Sequence, residues 1–252
     1  MIHPLIVAYA TMVRREVLRF SRAWFRTLLP PMMNTWLYFL IFGSLIGPRI
    51  GTMGGCPYAS FMMPGLVMMS VIVSSYTNVA SSVYSARFQR YIEEVLVAPV
   101  PRWLSVAGFV TGGVIRGILV GLLVLAVAAC FVPVSFHAPL HGVLMLLLSS
   151  VLFSLGGFLN ALYAGSFDDI SVVPTLLLTP LIYLGGVFYT VDVLPPFWES
   201  VSRLNPLLHV ISVFRYGFLG VADAPLELSY AVTLLLLVLL FLWAVLLIRG
   251  RR

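Results

Sequence analysis

Six runs of apolar residues, each about as long as a bilayer is thick, constrain this chain more than any other feature of its sequence. They cover approximately 28–46, 58–82, 104–131, 139–164, 171–188 and 229–248. About 20 residues of α-helix cross a hydrocarbon core about 30 Å thick. Because 61% of the residues are hydrophobic and only 10% are charged, lipid must be the solvent for most of the chain. We therefore expect an all-α membrane protein with six transmembrane helices.

The placement of the basic residues predicts how these helices are oriented. All fifteen are arginines, and eleven lie in the N-terminal segment, the loop after the second run or the C-terminal tail. Only Arg49, Arg203 and Arg215 lie in the segments on the other side. Because arginine is retained on the cytoplasmic side of membranes, both termini are predicted to be cytoplasmic.

Residues 1–27 show the pattern of a helix that lies in the membrane surface. Two stripes run along this helix, a basic one of Arg15, Arg19, Arg22 and Arg26 and an apolar one of Val13, Val17, Phe20 and Trp24. A basic face opposite an apolar face is typical of a helix lying in an anionic leaflet. We expect an amphipathic interfacial helix in contact with lipid, and residues 28–252 as the transmembrane domain.

The loop after the second run, "RFQRYIEEVLVAPVPRW" (87–103), is charged in an otherwise apolar chain. At helical spacing its apolar residues form one stripe and its charged residues an adjacent one. Pro99 and Pro101 end the pattern. A short amphipathic helix, 84–98, is therefore predicted on the cytoplasmic face. By this pattern alone it could rest on lipid, dock a soluble partner or be a solvated loop.

The segment after the fifth run, residues 189–220, is too apolar for a solvated loop and too rich in proline for one spanning helix. Two short helices, 193–203 and 207–219, fit it, with "RLNP" as the turn. Such a hairpin would enter the outer leaflet and return, closing a path from outside. Its candidate gate residues are Leu194, Pro195, Phe197, Trp198, Arg203, Asn205, Pro206 and Arg215, with both arginines expected at headgroup depth.

Arg116 lies inside the third apolar run. A charge at that depth is costly unless it faces protein or water. Arg116 is therefore expected to bond to helix carbonyls or to Asn or Ser side chains, or to mark a polar point on a transport path.

Motifs for chemistry within the chain are missing from the sequence. Cys56 and Cys130 fit no metal-binding spacing and are either free thiols or a disulfide. His137 and His141 are read as loop residues, and Asp168 and Asp169 as caps at the start of the fifth run. Because the chain contains no lysine, it has no P-loop. A permease, a secondary carrier or channel, and an intramembrane enzyme are the candidate classes, and no catalytic constellation supports the last.

Three segments in order resemble the permease subunit of a type-2 ABC exporter. They are "FMMPGLVMMS", the "EEVLVAPV" core of the charged loop, and "LTPLIYLGGVFYTVDVLPPFWESVSRLNPLLHVISVFR". The Gly-Gly pair in the third segment replaces the more usual Ser-Gly. The resemblance covers essentially the whole chain and favours a half-size, six-span bacterial permease.

The resemblance implies an ATP-driven exporter of an amphipathic, lipid-linked or drug-like substrate in the bacterial inner membrane. ATP and Mg²⁺ would be bound by a separate cytoplasmic ATPase, present in two copies, and the permease would pair as a homodimer, with no nucleic-acid partner. The chain would be a transport subunit rather than an enzyme. The residues that would couple it to the ATPase are Arg87, Phe88, Arg90, Glu93, Glu94, Val95, Pro99 and Arg102. A secondary carrier or channel without an ATPase is the alternative.

Overall fold

The computed structural model describes residues 2–89 and 101–250, most of which are helical. The helices are α1 (Ile2–Arg22), α2 (Trp24–Tyr38), α3 (Gly47–Ile50), α4 (Tyr58–Phe88), α5 (Arg102–Ala129), α6 (Pro139–Tyr163), α7 (Phe167–Val173), α8 (Thr179–Leu184), α9 (Pro196–Leu204), α10 (Pro206–Leu219) and α11 (Leu226–Gly250). The other elements are two π-helical stretches, Phe39–Ile46 and Pro174–Leu178, a 3₁₀ turn, Val191–Val193, and two short antiparallel strands, β1 (Thr52–Met53) and β2 (Cys56–Pro57).

Within the described ranges, six helical stretches are long and apolar enough to cross a membrane. They are Trp24–Ile50, Tyr58–Phe88, Trp103–Ala129, Pro139–Tyr163, Phe167–Leu184 and Leu226–Leu247. The first joins α2 to α3 through π-helical turns, and the fifth joins α7 to α8 in the same way. The predicted all-α membrane fold with six spans is therefore confirmed.

Two boundaries differ from the sequence-based prediction. Helix α4 continues unbroken through Phe88, so the predicted second span and the start of the predicted helix 84–98 are one helix. No glycine or proline between Ser82 and Gln89 stops it. At the other boundary, α1 ends at Arg22, and Ala23 leaves helical geometry. Trp24 and Arg26 therefore belong to α2 and not to the N-terminal helix.

Helix α4 forms the centre of the bundle and packs against α5, α6 and α10. Its buried side chains include Met62, Met63, Leu66 and Ile72. Helices α2 and α11, by contrast, leave most of their apolar surface uncovered in the single chain. This distribution fits a membrane protein, in which lipid or a second subunit covers the outer apolar faces.

Glycines allow α5 to lie very close to its neighbours. A Cβ at Gly112 would stand 2.6 Å from the Cβ of Glu16 in α1, and a Cβ at Gly117 would stand 2.0 Å from Oγ of Ser75 in α4. Small residues at helix contacts allow such close backbone approach in membranes. The glycines of "TGGVIRGILVG" thus determine where α1 and α4 contact α5.

Candidate functional site

A group of polar side chains joins α1 to α4 and α5 in the otherwise apolar bundle. We call Glu16, Arg19, Asn78, Ser82 and Arg116 the polar cluster. The carboxylate of Glu16 is buried, and its Oε1 accepts a 2.6 Å hydrogen bond from Oγ of Ser82. Its Oε2 lies 3.1 Å from Nη2 of Arg19, in a salt bridge within α1. The N-terminal helix is therefore held to α4 by a buried charge.

Asn78 is the acceptor that two arginines share. Nη2 of Arg19 donates to the backbone carbonyl of Asn78 at 2.9 Å and to its Oδ1 at 2.8 Å. Nη1 of Arg116 donates to the same Oδ1 at 3.3 Å. Arg116 thus lies against protein, as predicted from its depth in the third apolar run, while its part in transport stays a prediction.

The predicted basic stripe of the N-terminal helix is wrong for Arg19. Its side chain points into the bundle because Glu16, one helical turn earlier, and Asn78 in α4 both accept its hydrogen bonds. Phe20, assigned to the lipid-facing stripe, is buried, whereas Trp24 is exposed. Arg15 and Arg22 line a groove between α1 and the end of α4. The sequence did not lead us to predict Glu16 as a site residue. Its position three residues before Arg19, about one helical turn, is the pattern that indicates the salt bridge.

A cavity of about 260 Å³ lies between α2 and α4, with Arg116 of α5 on its wall. Among the described residues, its only charged lining residues are Arg26 and Arg116. The others are Thr27, Pro30, Pro31, Asn34, Thr35, Tyr38, Leu66, Met69, Ser70, Val73, Ser74 and Thr77. The cavity therefore combines cations and hydroxyl groups in its lining. We call it the arginine cavity.

The end of α4 is fastened to the start of the fifth span. Nη1 of Arg87 donates to the carbonyls of Leu162, at 2.9 Å, and Ala164, at 3.2 Å, just where α6 ends. A cation at the C-terminus of a helix is stabilised by the helix dipole. The hydroxyl of Tyr84 donates to the carbonyl of Gly165 at 3.1 Å. Arg87, predicted to contact an ATPase, therefore bonds to its own chain.

Most residues of the predicted coupling segment fall in the range 90–100. Arg90, Glu93, Glu94, Val95 and Pro99 lie outside the described residues, as does the side chain of Arg102. Phe88 is exposed, and its ring centroid lies 5.7 Å from that of Phe167.

The capping role predicted for the acidic pair after α6 is confirmed for Asp169. Its Oδ2 accepts from the backbone N–H of Ser166 at 3.0 Å, and Oγ of Ser166 accepts from the N–H of Asp169 at 3.2 Å. This reciprocal pair is a capping box, and it starts α7.

Two short helices, α9 and α10, occupy the predicted hairpin. Asn205 forms the turn, because its Oδ1 accepts from the N–H of Leu207 at 3.0 Å and its Nδ2 donates to the carbonyl of Leu181 at 2.6 Å. Pro206 follows as the first residue of α10. Phe197 and Trp198 are exposed on α9. The insertion of this hairpin into the outer leaflet stays a prediction.

The prediction that Arg215 meets lipid phosphate or an anionic substrate is wrong. Its side chain is completely buried, pairs with Asp223 and donates to the carbonyl of Gly186. Its guanidinium carbon lies 3.9 Å from the centroid of the Phe61 ring. Gly220, with φ +72°, ends α10 and turns the chain back so that Asp223 reaches Arg215. Arg203 does lie on the surface, where it pairs with Glu199 at 2.8 Å.

Histidine and cysteine side chains form no candidate metal centre in the described part of the chain. Nδ1 of His141 lies 2.9 Å from the hydroxyl of Tyr230. Cys56 and Cys130 are both free thiols.

Known proteins resemble this chain over most of its length. The family model described as ABC-2 type transporter matches residues 7–219. The chain is 53% identical to the Inner membrane transport permease YadH of Escherichia coli (strain K12), over 100% of this chain and 98% of the relative. It is 24% identical to Nodulation protein J of Rhizobium leguminosarum bv. viciae, over 94% of this chain and 92% of that relative.

Proposed function

The chain belongs to the ABC-2 type transporter family and is a multi-pass inner-membrane permease subunit of an ABC exporter, and we propose that a separate cytoplasmic ATPase drives it through the segment after α4. The family implies an ABC ATPase partner in general. In this proposal ATP and Mg²⁺ are bound by that partner, and the permease itself carries out no hydrolysis. The lack of lysine, and hence of a P-loop, supports this division.

The observation that carries the proposal is the fastening of α4 at its arginine-rich end. Because Arg87 and Tyr84 bond to the carbonyls that follow α6, a force applied to the segment after α4 reaches the fourth and fifth spans together. Helix α4 is also the central helix of the bundle. Movement of one short cytoplasmic segment would therefore be transmitted to the whole transmembrane domain.

Two copies of the permease and two of the ATPase form the proposed transporter. The large apolar surface of the first and sixth spans supports pairing, because residues such as Leu45, Leu235 and Leu246 are uncovered in one chain. At the opposite end, the α9–α10 hairpin is proposed to close the outer mouth. The proposed substrate is an amphipathic, lipid-linked or drug-like molecule.

Coupling can be tested with acidic residues of the segment. The double variant Glu93→Ala/Glu94→Ala should lower permease-dependent ATPase activity about tenfold, the loss expected when about 1.4 kcal/mol of interaction is removed. The assay reconstitutes the permease with its ABC ATPase partner in nanodiscs. Glu227→Ala, an exposed acidic residue at the start of α11, is the matched control and should leave the activity unchanged.

A further variant separates docking from transmission. Arg87→Gln retains polarity but removes the cation from the end of α6 and should reduce ATPase stimulation while the ATPase still co-purifies with the permease. Gln89→Ala, an exposed neighbour, is its control. Full stimulation by both the Glu93→Ala/Glu94→Ala and the Arg87→Gln permeases would contradict the assignment of this segment as the coupling element.

A further inference from the structure

The arginine cavity carries more positive charge than the described protein neutralises. Arg26 and Arg116 are its only charged lining residues, and neither forms a salt bridge with a described carboxylate. The carboxylate of Glu16 is already committed to Arg19 and Ser82. Arg26 is exposed, but Arg116 is half-buried, and a cation partly withdrawn from water is costly without a partner of opposite charge.

Arg116 in particular has unused hydrogen-bonding capacity. A guanidinium has five N–H donors, and the bond to Oδ1 of Asn78 at 3.3 Å engages one of them. Its Nε is buried and has no hydrogen-bond partner among the described residues. The Nδ2 group of Asn78 is also buried and unpartnered there. Arg116, whose Nε is one of these unused donors, lines the cavity from α5.

The two arginines reach the cavity from different helices. Arg26 lies in the first turn of α2, and Arg116 lies 14 residues after Arg102, the first residue of α5. Side chains of Thr27, Ser70 and Thr77 line the same cavity. An anionic group bound there would therefore meet both cations and hydroxyl groups.

The lining also has an apolar part. Leu66, Met69 and Val73 form the α4 wall, and Pro30 and Pro31 lie on the α2 wall. Helix α2 is itself mostly exposed, so a single helix separates the cavity from the surroundings of the bundle. This arrangement suits a molecule with an anionic head and an apolar tail better than a small soluble anion.

We propose that the arginine cavity binds the anionic headgroup of an amphiphile, with Arg26 and Arg116 as the residues that hold it. Phosphate and carboxylate are the headgroup chemistries that guanidinium groups bind best, through paired hydrogen bonds. The proposal names the substrate class of the exporter and so rests on the proposed function. The binding test uses the permease alone, so amphiphile binding can be absent while the permease still stimulates the ATPase.

Binding is measured by isothermal titration calorimetry on the full chain in the uncharged detergent decyl maltoside. The probes are dodecyl phosphate, dodecylphosphocholine and inorganic phosphate, which separate headgroup charge from the apolar tail. Dodecyl phosphate should bind at least about tenfold more tightly than dodecylphosphocholine, because the choline cation offsets the phosphate charge of the latter and one terminal oxygen is taken up by its ester. Inorganic phosphate should bind more weakly than dodecyl phosphate.

Arg116→Gln and Arg26→Gln should each weaken dodecyl phosphate binding about tenfold or more. Arg26 is exposed and makes no described salt bridge, so its replacement keeps the test valid if Arg116→Gln does not fold. Arg49→Gln, an exposed arginine at the far end of the first span, is the control and should bind normally. Equal binding of the phosphate and phosphocholine amphiphiles, or unchanged binding by Arg26→Gln, would overturn the proposal. Inorganic phosphate binding as tightly as dodecyl phosphate would overturn the amphiphile assignment.

Discussion

Ser82 donates a 2.6 Å hydrogen bond to the buried carboxylate of Glu16, across the interface between α4 and α1. The same carboxylate holds Arg19, which in turn binds Asn78 one turn before Ser82. An N-terminal helix predicted to lie on lipid through its arginines is thus bonded to the central helix of the bundle. A movement of α1 would therefore displace α4 as well.

Glu16→Gln should loosen this attachment. The amide keeps the shape of the side chain but leaves Arg19 without its charge partner, at an expected loss of about 1–3 kcal/mol in the free energy of unfolding. Thermal unfolding of the detergent-solubilised chain measures the loss, and faster proteolysis of α1 would locate it. Arg14→Gln, an exposed neighbour, is the control. Identical melting of the two variants would show that the buried carboxylate does not hold α1.

Gly117 should tolerate alanine only if Ser75 changes too. A Cβ at Gly117 would lie 2.0 Å from Oγ of Ser75, but 3.4 Å from Cβ of Ser75. Gly117→Ala alone should therefore destabilise the chain by about 1–3 kcal/mol through overpacking. Adding Ser75→Ala should restore most of the melting temperature. Gly142→Ala, whose Cβ would meet nothing closer than 3.9 Å, should melt like the unmodified chain.

Failure of Ser75→Ala to rescue Gly117→Ala would mean that α4 and α5 are not in the register described here. Ser75→Ala removes only the hydroxyl group that a Cβ at Gly117 would meet, so the rescue tests this one contact.

Asp223→Asn should be strongly destabilising, because it leaves Arg215 buried without its counter-ion. Removing one partner of a buried ion pair costs about 3–5 kcal/mol. Replacing both residues, as Arg215→Met/Asp223→Leu, should be less harmful than either single change, since no buried charge remains. Melting temperatures of the unmodified chain, Arg215→Met, Asp223→Leu and the double variant make a double-mutant cycle. A double variant that melts at the sum of the two single losses would show that the two side chains are not coupled.

The sequence predicted what local patterns determine. The six apolar runs gave six helices, and Asn205 and Pro206 gave the turn between α9 and α10, because span length and turn chemistry are properties of neighbouring residues. The capping role of Asp169 was predictable for the same reason. Each of these features depends on residues within a few positions of one another.

Contacts between distant segments were not predictable in this way. Glu16 and Ser82 are 66 positions apart, and only the packing of α1 against the bundle brings them together. Arg215 was assigned to the membrane surface because the turn at Gly220, which returns Asp223 to it, was not recognised. The sequence shows the glycines of α5. It does not show which neighbouring helix each glycine contacts.

The outer hairpin can be tested at positions that the structure shows to be exposed. Asn205 is buried and caps α10, so a cysteine there would report damage as well as location. Leu204, the last residue of α9, is 85% exposed, and Val193, which precedes α9, is 70% exposed. In a chain with Cys56→Ser and Cys130→Ser, single cysteines at these two positions should react with a membrane-impermeant maleimide added from outside intact cells. Ser171→Cys, exposed near the opposite end of the fifth span, should react only after the cells are opened.

Helix α9 has 9 residues and reaches only about 14 Å, so it can enter the bilayer without crossing it. Labelling of Leu204→Cys only after cell opening would place the turn on the cytoplasmic side, and the hairpin could not then serve as an outer gate.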